Sequence, residues 1–190
     1  MKRLLILFIS FFVASQLYPC TNLLVSKGAS KDGSVMVSYA ADSHTRYGTL
    51  VHLPRGSHKM GEMIQVREWG KERFLGYIPQ VSYTYNVIGN MNEHQLLIGE
   101  STWGGLPELI DTTAILDYGS LIYITLQRAK TARQAIEVFT ALADEYGYAS
   151  SGESISFADP NEVWFMDIIA RKPVYENGRN LKKGAVWVAV

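Results

Sequence analysis

Two short runs of mostly apolar residues near the start of the chain have the composition of β-strands. They are residues 21–26 and residues 35–39. The polar stretch between them contains Asp32-Gly33, a dipeptide that favours a tight turn between antiparallel strands. The sequence therefore predicts a β-hairpin that begins at Thr21.

Short strands are also predicted in the part of the chain up to residue 102. Residues 43–85 mix glycine and aromatic residues without a helical period, which indicates short strands and loops. Residues 86–90 and 95–102 have the pattern of a strand pair joined around residues 91–94. Trp103-Gly104-Gly105 then ends the pattern.

Two helices are predicted next. Residues 116–129 are apolar on nearly all sides, which predicts a helix buried against a sheet. For the second helix, Thr131 is the predicted N-cap, Gln134 has the spacing of a capping box, and Gly147 is the predicted end. The predicted buried stripe of this helix consists of Ala135, Val138, Phe139, Leu142 and Tyr146.

The pattern returns to strands after the second helix. Residues 154–158 and 163–169 flank a turn at 159–162, and residues 186–190 are apolar. Strands followed by helices and again by strands predict an α+β fold built in layers, rather than repeated βαβ units.

The first residues have the pattern of a secretory signal. Lys2 and Arg3 precede an apolar core over residues 4–13, which is too short to span a bilayer. Small side chains fit cleavage before Gln16. We therefore expect a signal peptide at residues 1–15, a candidate pro-segment at residues 16–19, and export to the periplasm or the cell exterior.

The charge of the chain narrows the classes of partner. Its 18 basic and 18 acidic residues give a formal net charge of zero. This balance provides no basic field for nucleic acid and no polybasic run for anionic lipid. No second apolar run has membrane-spanning length. We therefore expect no nucleic-acid partner and no stable membrane span, and the sequence leaves the oligomeric state open.

The chain contains one cysteine, Cys20, a few residues beyond the predicted cleavage site. Exported proteins usually pair their cysteines, so a lone one indicates a reactive thiol or an intermolecular link. Three interpretations compete: a buried structural thiol, a lipoprotein cysteine and an N-terminal nucleophile. A lipoprotein cysteine follows a small residue, whereas Tyr18 and Pro19 precede Cys20.

An N-terminal cysteine would supply both nucleophile and base. Once cleavage exposes Cys20, its α-amine can take the thiol proton and later protonate the leaving amine. No separate catalytic histidine is needed, and the four histidines lack metal-ligand spacing. Cleavage before Gln16 leaves residues 16–19 attached, so a further cleavage between Pro19 and Cys20, or a different signal-peptidase site, has to be assumed.

Residues 20–34, which begin Cys-Thr-Asn-Leu-Leu-Val-Ser-Lys-Gly, closely resemble the start of a known family. It is the dipeptidase family of N-terminal-nucleophile (Ntn) cysteine peptidases, which includes the dipeptidase A enzymes and the secernins. Residues 86–100, 116–129 and 158–164 are also similar to it. The resemblance implies an αββα four-layer sandwich, and hydrolysis of dipeptides by Cys20 without a metal or organic cofactor.

The resemblance also implies further site residues. Related acylases of the bile-salt and penicillin type carry an arginine and then an aspartate downstream of the nucleophile. Asp42 falls near that aspartate and is expected to orient Cys20 or to meet the substrate's ammonium, whereas Tyr39 occupies the arginine position. Thr102 falls near the early oxyanion donor, where a backbone N–H can act. Glu100 is a further candidate, either for binding the free amine of the substrate or as a plain carboxylate at the end of a strand.

The known dipeptidases are longer than this chain. Residues 20–190 are therefore expected to be the N-terminal portion of an Ntn catalytic domain, with the sandwich incomplete and further site residues beyond Val190. The predicted function is hydrolysis of dipeptides and short peptides through a thioester acyl-enzyme. Two alternatives stay open: an acylase for non-peptide amides of the bile-salt or penicillin type, and a lipid-anchored binding module acylated at Cys20.

Overall fold

A computed structural model describes residues 20–41, 48 and 50–190 of the chain. Within them lie two α-helices, α1 (Tyr118–Leu126) and α2 (Ala132–Tyr146), and a 3-10 turn at Pro107–Leu109. The strands, in chain order, are β1 (Thr21–Val25), β2 (Met36–Ala40), β3 (His52–Leu53), β4 (Gly56–Ser57), β5 (Met63–Arg67), β6 (Phe74–Pro79), β7 (Tyr83–Thr84), β8 (Val87–Ile88), β9 (Met91–Asn92), β10 (Leu97–Thr102), β11 (Gly152–Ala158), β12 (Val163–Ala170), β13 (Tyr175–Glu176), β14 (Arg179–Asn180) and β15 (Ala185–Ala189).

A seven-stranded antiparallel sheet is the centre of the described structure. Its strand order is β15-β12-β11-β10-β9-β8-β3. The longest ladders join β10 to β11 and β11 to β12, whereas β9 pairs with β10 only at Leu97. The part of β10 that follows Leu97 is therefore paired with β11 on one side and not with β9 on the other.

Both helices pack on one face of this sheet. α1 contacts β10 and α2 contacts β11 and β15. The rings of Phe139 in α2 and Phe157 in β11 meet edge to face at 5.8 Å. Because side chains alternate across a strand, Ile98 and Ile155 share this face with Phe157. All three sheet residues are fully buried, so the core lies between the sheet and the helices.

The caps of both helices follow from their sequences. The Thr131 side chain accepts a hydrogen bond from Gln134 N, and Gly147 adopts a positive φ of 86° at the end of α2. Gln134 departs from the capping-box prediction, because its side chain accepts from Lys130 N. α1 begins two residues later than predicted because Asp117 is its N-cap and accepts from Ser120 N at 2.8 Å.

The predicted hairpin is confirmed: β1 and β2 pair in an antiparallel ladder from Thr21–Ala40 to Val25–Met36. The hairpin contacts β10 through both of its strands. It lies on the side of β10 toward which Gly99 would direct a side chain, opposite to the helices. A Cβ on Gly99 would stand 2.6 Å from Asn22 Oδ1, so only glycine allows this close approach.

The prediction that residues 86–90 pair with residues 95–102 is wrong. β8 pairs with β9, and β9 lies between β8 and β10 in the sheet. The Asn92 side chain causes the difference. Its amide nitrogen donates to Leu126 O and Ala129 O, both at 2.7 Å, and its oxygen accepts from His94 N and Leu96 N. These bonds fix residues 91–92 as a strand and move the turn toward Gln95, whose φ is +62°.

The arrangement confirms the α+β class, and the four-layer sandwich stays a prediction. The predicted signal peptide at residues 1–15 and the pro-segment at residues 16–19 lie outside the described residues. None of the helices formed by the described part of the chain combines the length and the apolarity needed to cross a bilayer.

Candidate functional site

Cys20 lies immediately before β1 and is half-buried. Its carbonyl oxygen accepts a hydrogen bond from the Ser101 hydroxyl at 2.6 Å. Two residues later, the Asn22 side-chain amide donates to the carbonyl oxygen of Glu100, also at 2.6 Å. The backbone that carries Cys20 is therefore fastened to β10 at two successive residues of that strand.

Tyr39 lies directly opposite Asn22 in the hairpin. Its hydroxyl donates a hydrogen bond to Glu100 Oε1 at 2.8 Å. Burial raises the pKa of Tyr39 far above its usual value, and the negative charge of Glu100 raises this pKa further. A negative charge on Cys20 would also raise the pKa of Tyr39. Tyr39 therefore stays protonated, and its hydrogen points at Glu100.

Glu100 is 2% exposed, and both of its carboxylate oxygens accept hydrogen bonds. Tyr39 donates to one, and the Thr102 hydroxyl donates to the other at 3.1 Å. By the alternation of β10, the Glu100 side chain lies on the helix face of the sheet. Tyr39 comes from the hairpin face, so it reaches Glu100 past the part of β10 that β9 does not pair with.

A second buried carboxyl, that of Glu153, lies beside Glu100. In the β10–β11 ladder Glu153 is opposite Thr102, so its side chain shares a face with that of Glu100. Glu153 is also 2% exposed. Burial raises the pKa of Glu153 to about 8, and the charge of Glu100 together with a hydrogen bond to Glu100 contributes in the same direction. At neutral pH Glu153 therefore keeps its proton beside Glu100.

Other polar groups surround this carboxyl pair on the helix face. The Asp117 carboxylate, which caps α1, adds a negative charge that raises the pKa of Glu153. Tyr148, just after α2, is fully buried, and burial first and the charge of Glu153 second raise its pKa well above the usual value. We call Cys20, Tyr39, Glu100, Thr102 and Glu153 the Cys20 cluster.

The structure brings three of the four residues predicted for the site into this cluster: Cys20, Glu100 and Thr102. Asp42 lies outside the described residues. Thr102 lies at the exposed end of β10, and its hydroxyl hydrogen is directed at Glu100. Its backbone N–H is therefore the group that fits the predicted oxyanion role. Glu100 is buried, with both oxygens occupied, so its placement favours support of the site over direct contact with a substrate.

Three other contributors were not singled out from the sequence. Ser101 and Glu153 had no motif around them, and Tyr39 was noted only as the residue in an arginine's place. The side-chain parity of β10 and β11 carried a usable signal, because residues on one face of paired strands become neighbours. Among the described residues, no group of three or more His, Cys, Asp or Glu side chains could hold a metal ion.

Together, the fold and the cluster describe an α+β protein in which a cysteine at the start of a strand is fastened to the strand that carries a buried glutamate of an acidic pair. The chain belongs to peptidase family C69, whose model matches residues 47–190. This match confirms the family that residues 20–34 resemble. The matched range begins after Cys20, so the role of this residue stays a prediction.

Several curated proteins are similar to the chain at low identity. A "Probable dipeptidase B" of Streptococcus pyogenes serotype M3 is 24% identical over 85% of this chain and 35% of that protein. A "Probable dipeptidase" of Latilactobacillus sakei is 26% identical over 81% of this chain and 36% of its own length. A "Probable dipeptidase" of Salmonella dublin is 22% identical over 88% of this chain and 42% of its own length. The chain thus spans well under half the length of these relatives.

Proposed function

We propose that this chain carries the nucleophile of a cysteine dipeptidase, an enzyme that hydrolyses dipeptides and short peptides, and that Cys20 is this nucleophile. The observation that carries the proposal is the fastening of Cys20 to β10 by the Ser101 hydroxyl, beside Tyr39 and the acidic pair. Membership of a peptidase family supports the reaction class. The names of the relatives, which describe dipeptidases, support the substrate class.

The proposed reaction has two halves. The Cys20 thiol gives its proton to the Cys20 α-amine, and the sulfur attacks the scissile carbonyl carbon to form a tetrahedral oxyanion. The C–N bond then breaks, the leaving amine takes the proton from the α-ammonium, and a thioester remains. Water attacks the thioester with the α-amine as base, and the thiol and a carboxylic acid are released. The mechanism requires that cleavage between Pro19 and Cys20 exposes the amine.

The other predicted residues take supporting roles in this proposal. The backbone N–H of Thr102 is proposed to donate to the oxyanion, which forms beside the start of β1. Asp42 is proposed, from the family resemblance, to hold the amine of Cys20 or the ammonium of the substrate. For Glu100, contact with the substrate's amine stays a prediction, and its burial favours a role behind the nucleophile.

The proposal extends to the architecture and location of the enzyme. A four-layer sandwich is supported by the sheet itself, which carries helices on one face and exposed apolar side chains on the other, where Val186 and Val188 are 55% and 58% exposed. A second sheet would cover such a face. We also propose that residues 1–15 direct export and that residues 20–190 form the N-terminal portion of the catalytic domain.

Mutation of Cys20 in the complete enzyme tests the proposed nucleophile. We expect Cys20→Ser and Cys20→Ala to lower dipeptide hydrolysis by more than about a hundredfold, because removing an attacking nucleophile removes the covalent route. Ser38→Ala is the matched control, since Ser38 is exposed on β2 of the same hairpin. Full turnover by Cys20→Ala would refute the nucleophilic role.

Mass spectrometry of the mature N-terminus tests how Cys20 is used. A chain that begins at an unmodified Cys20 supports the proposed mechanism. Retention of residues 16–19 contradicts the role of the α-amine, and a diacylglyceryl mass on Cys20 supports a lipid anchor. A panel of dipeptides, conjugated bile salts and penicillin V separates the dipeptidase from an acylase, and we expect turnover of the dipeptides.

A further inference from the structure

We propose that Tyr39, Glu100 and Glu153 are positioning residues that govern the ionisation of the Cys20 thiol. In this network Glu153 donates its proton to Glu100, Glu100 accepts the Tyr39 hydroxyl hydrogen, and the Tyr39 oxygen keeps its lone pairs as an acceptor available to Cys20. The inference rests on the proposed function only in that Cys20 is taken as the nucleophile. The network itself is a property of the folded chain.

The direction of each hydrogen bond follows from the number of protons that the groups carry. A phenol has one hydrogen, and the 2.8 Å contact with Glu100 Oε1 uses it. What Tyr39 can offer to a neighbouring thiol or ammonium is therefore a lone pair. Tyr39 can hold an S–H or N–H proton in place, but it cannot stabilise a thiolate by donation.

The geometry of the strands makes the arrangement rigid. Asn22 donates to Glu100 O, and Tyr39 is its direct partner in the hairpin, so both residues dock the hairpin on the same residue of β10. The Ser101 hydroxyl fixes the carbonyl of Cys20. Any shift of the Glu100 side chain therefore changes the hydrogen bonding of a residue that neighbours the thiol.

The second carboxyl makes the network respond to pH. Glu153 faces Glu100 and Thr102 from β10, Asp117 from the start of α1, and Tyr148 from the segment after α2. Tyr39 faces Glu100, Cys20 and Tyr118. The strongest charges on Glu153 come from Glu100 and Asp117, both negative. When Glu153 loses its proton in mildly alkaline solution, a second negative charge appears in the pair and opposes formation of the thiolate.

Alkylation of the thiol tests the network directly, because Cys20 is the chain's single cysteine. We would measure the rate of reaction with iodoacetamide by intact mass between about pH 6 and pH 9.5, the range in which thiols ionise. In the wild-type chain, the rate should rise less steeply above about pH 8 than one isolated thiol predicts.

The variants separate the charge from the hydrogen bond. Glu153→Gln keeps the pair at one charge, so alkylation at pH 9 should be severalfold faster than in the wild type and unchanged near pH 6.5. Glu100→Gln removes the charge next to Tyr39 and should raise the rate at pH 7 by roughly threefold to tenfold, the effect of one nearby charge. Glu176→Gln, at an exposed carboxyl in β13, is the matched control and should follow the wild type.

Tyr39→Phe keeps the test valid if Glu100→Gln does not fold. This change removes one oxygen atom, and with it the proposed acceptor for Cys20, so alkylation at pH 7 should become severalfold faster. Profiles of Glu153→Gln and Tyr39→Phe that coincide with those of the wild type and Glu176→Gln would overturn the inference. If the alkylation profiles of the variants shift but the complete enzyme hydrolyses no peptide, the network is supported and the proposed function is contradicted. If the alkylation profiles coincide but Cys20→Ala abolishes hydrolysis in the complete enzyme, the proposed function is supported and the network is contradicted.

Discussion

The two faces of the seven-stranded sheet differ in how they are covered. On the helix face Ile98, Ile155 and Phe157 are fully buried under α1 and α2. On the opposite face Phe165 is 40% exposed and Val188 is 58% exposed, and the β1–β2 hairpin contacts β10 through both of its strands. The comparison shows that packing energy is concentrated on one face, whereas the proposed nucleophile is attached to the other.

The buried carboxyls of Glu100 and Glu153 are polar groups within the otherwise apolar helix face, and they connect it to the hairpin face. Glu100 and Glu153 belong to the helix face, where an apolar side chain would pack at no electrostatic cost, and burying a carboxyl there is unfavourable unless it is hydrogen-bonded. Tyr39 reaches this pair from the hairpin face. Polar residues that break the local pattern at such a junction are expected at functional sites, which favours a role for the pair in the chemistry of Cys20.

Truncation of a phenylalanine on each face should give the largest contrast. Phe157→Ala removes a fully buried ring that packs against Phe139, and we expect it to lower the free energy of unfolding by about 3–5 kcal/mol. Phe165→Ala, on the other face of the same sheet, should cost less than about 1 kcal/mol because its ring is already partly exposed. Urea denaturation of both variants measures the difference. Equal losses would show that the open face is as tightly packed as the helix face.

A methyl group at Gly99 should disturb the hairpin face and leave the helix face intact. Gly99→Ala places a Cβ 2.6 Å from Asn22 Oδ1 and 3.4 Å from Tyr39 Cβ, so the hairpin has to shift. Overpacking of this kind costs about 1–3 kcal/mol. Amide hydrogen exchange should show faster exchange in β1 and β2 and unchanged exchange in α2.

Gly28→Ala is the control for this prediction, because a Cβ at Gly28, between the two hairpin strands, would meet no atom within 4 Å. Similar exchange in β1 and β2 for the two variants would contradict the tight docking of the hairpin. Faster exchange confined to Gly99→Ala would show that this single contact seats Asn22, two residues after Cys20.

The elements with strong local signals were predicted well from the sequence. Asp32-Gly33 marks the hairpin, and Thr131 and Gly147 mark the ends of α2, because turns and caps depend on a few neighbouring residues. β9 was missed because a two-residue strand is shorter than any period. The pairing of β9 depends on Asn92. The side-chain amide of Asn92 donates hydrogen bonds to the carbonyl groups of Leu126 and Ala129, which are distant in the sequence.

The candidate site was predictable only in part, for the same reason. Cys20 is conspicuous as the single cysteine, and Glu100 and Thr102 lie within a recognisable strand. The contacts of Tyr39 depend on how the hairpin docks on β10, and those of Glu153 depend on the register of β10 with β11. Docking and register are set by tertiary packing, which a single strand's pattern does not encode.

The pH dependence of stability gives the smallest predicted effect and bears on the pair that connects the faces. Glu153 has a folded-state pKa of about 8, above its usual 4.5, so between these values the folded chain binds more protons than the unfolded chain. Stability should therefore fall as pH rises through this window, by at most about 1.4 kcal/mol per pH unit. Glu153→Gln, which cannot ionise, should flatten this slope and be more stable than the wild type at pH 8. Urea titrations at pH 5, 6.5 and 8 measure it, with Glu176→Gln as the exposed control. A slope that is unchanged in Glu153→Gln would mean that Glu153 is ionised in the folded chain, and the pair would then carry two charges behind Cys20 instead of one.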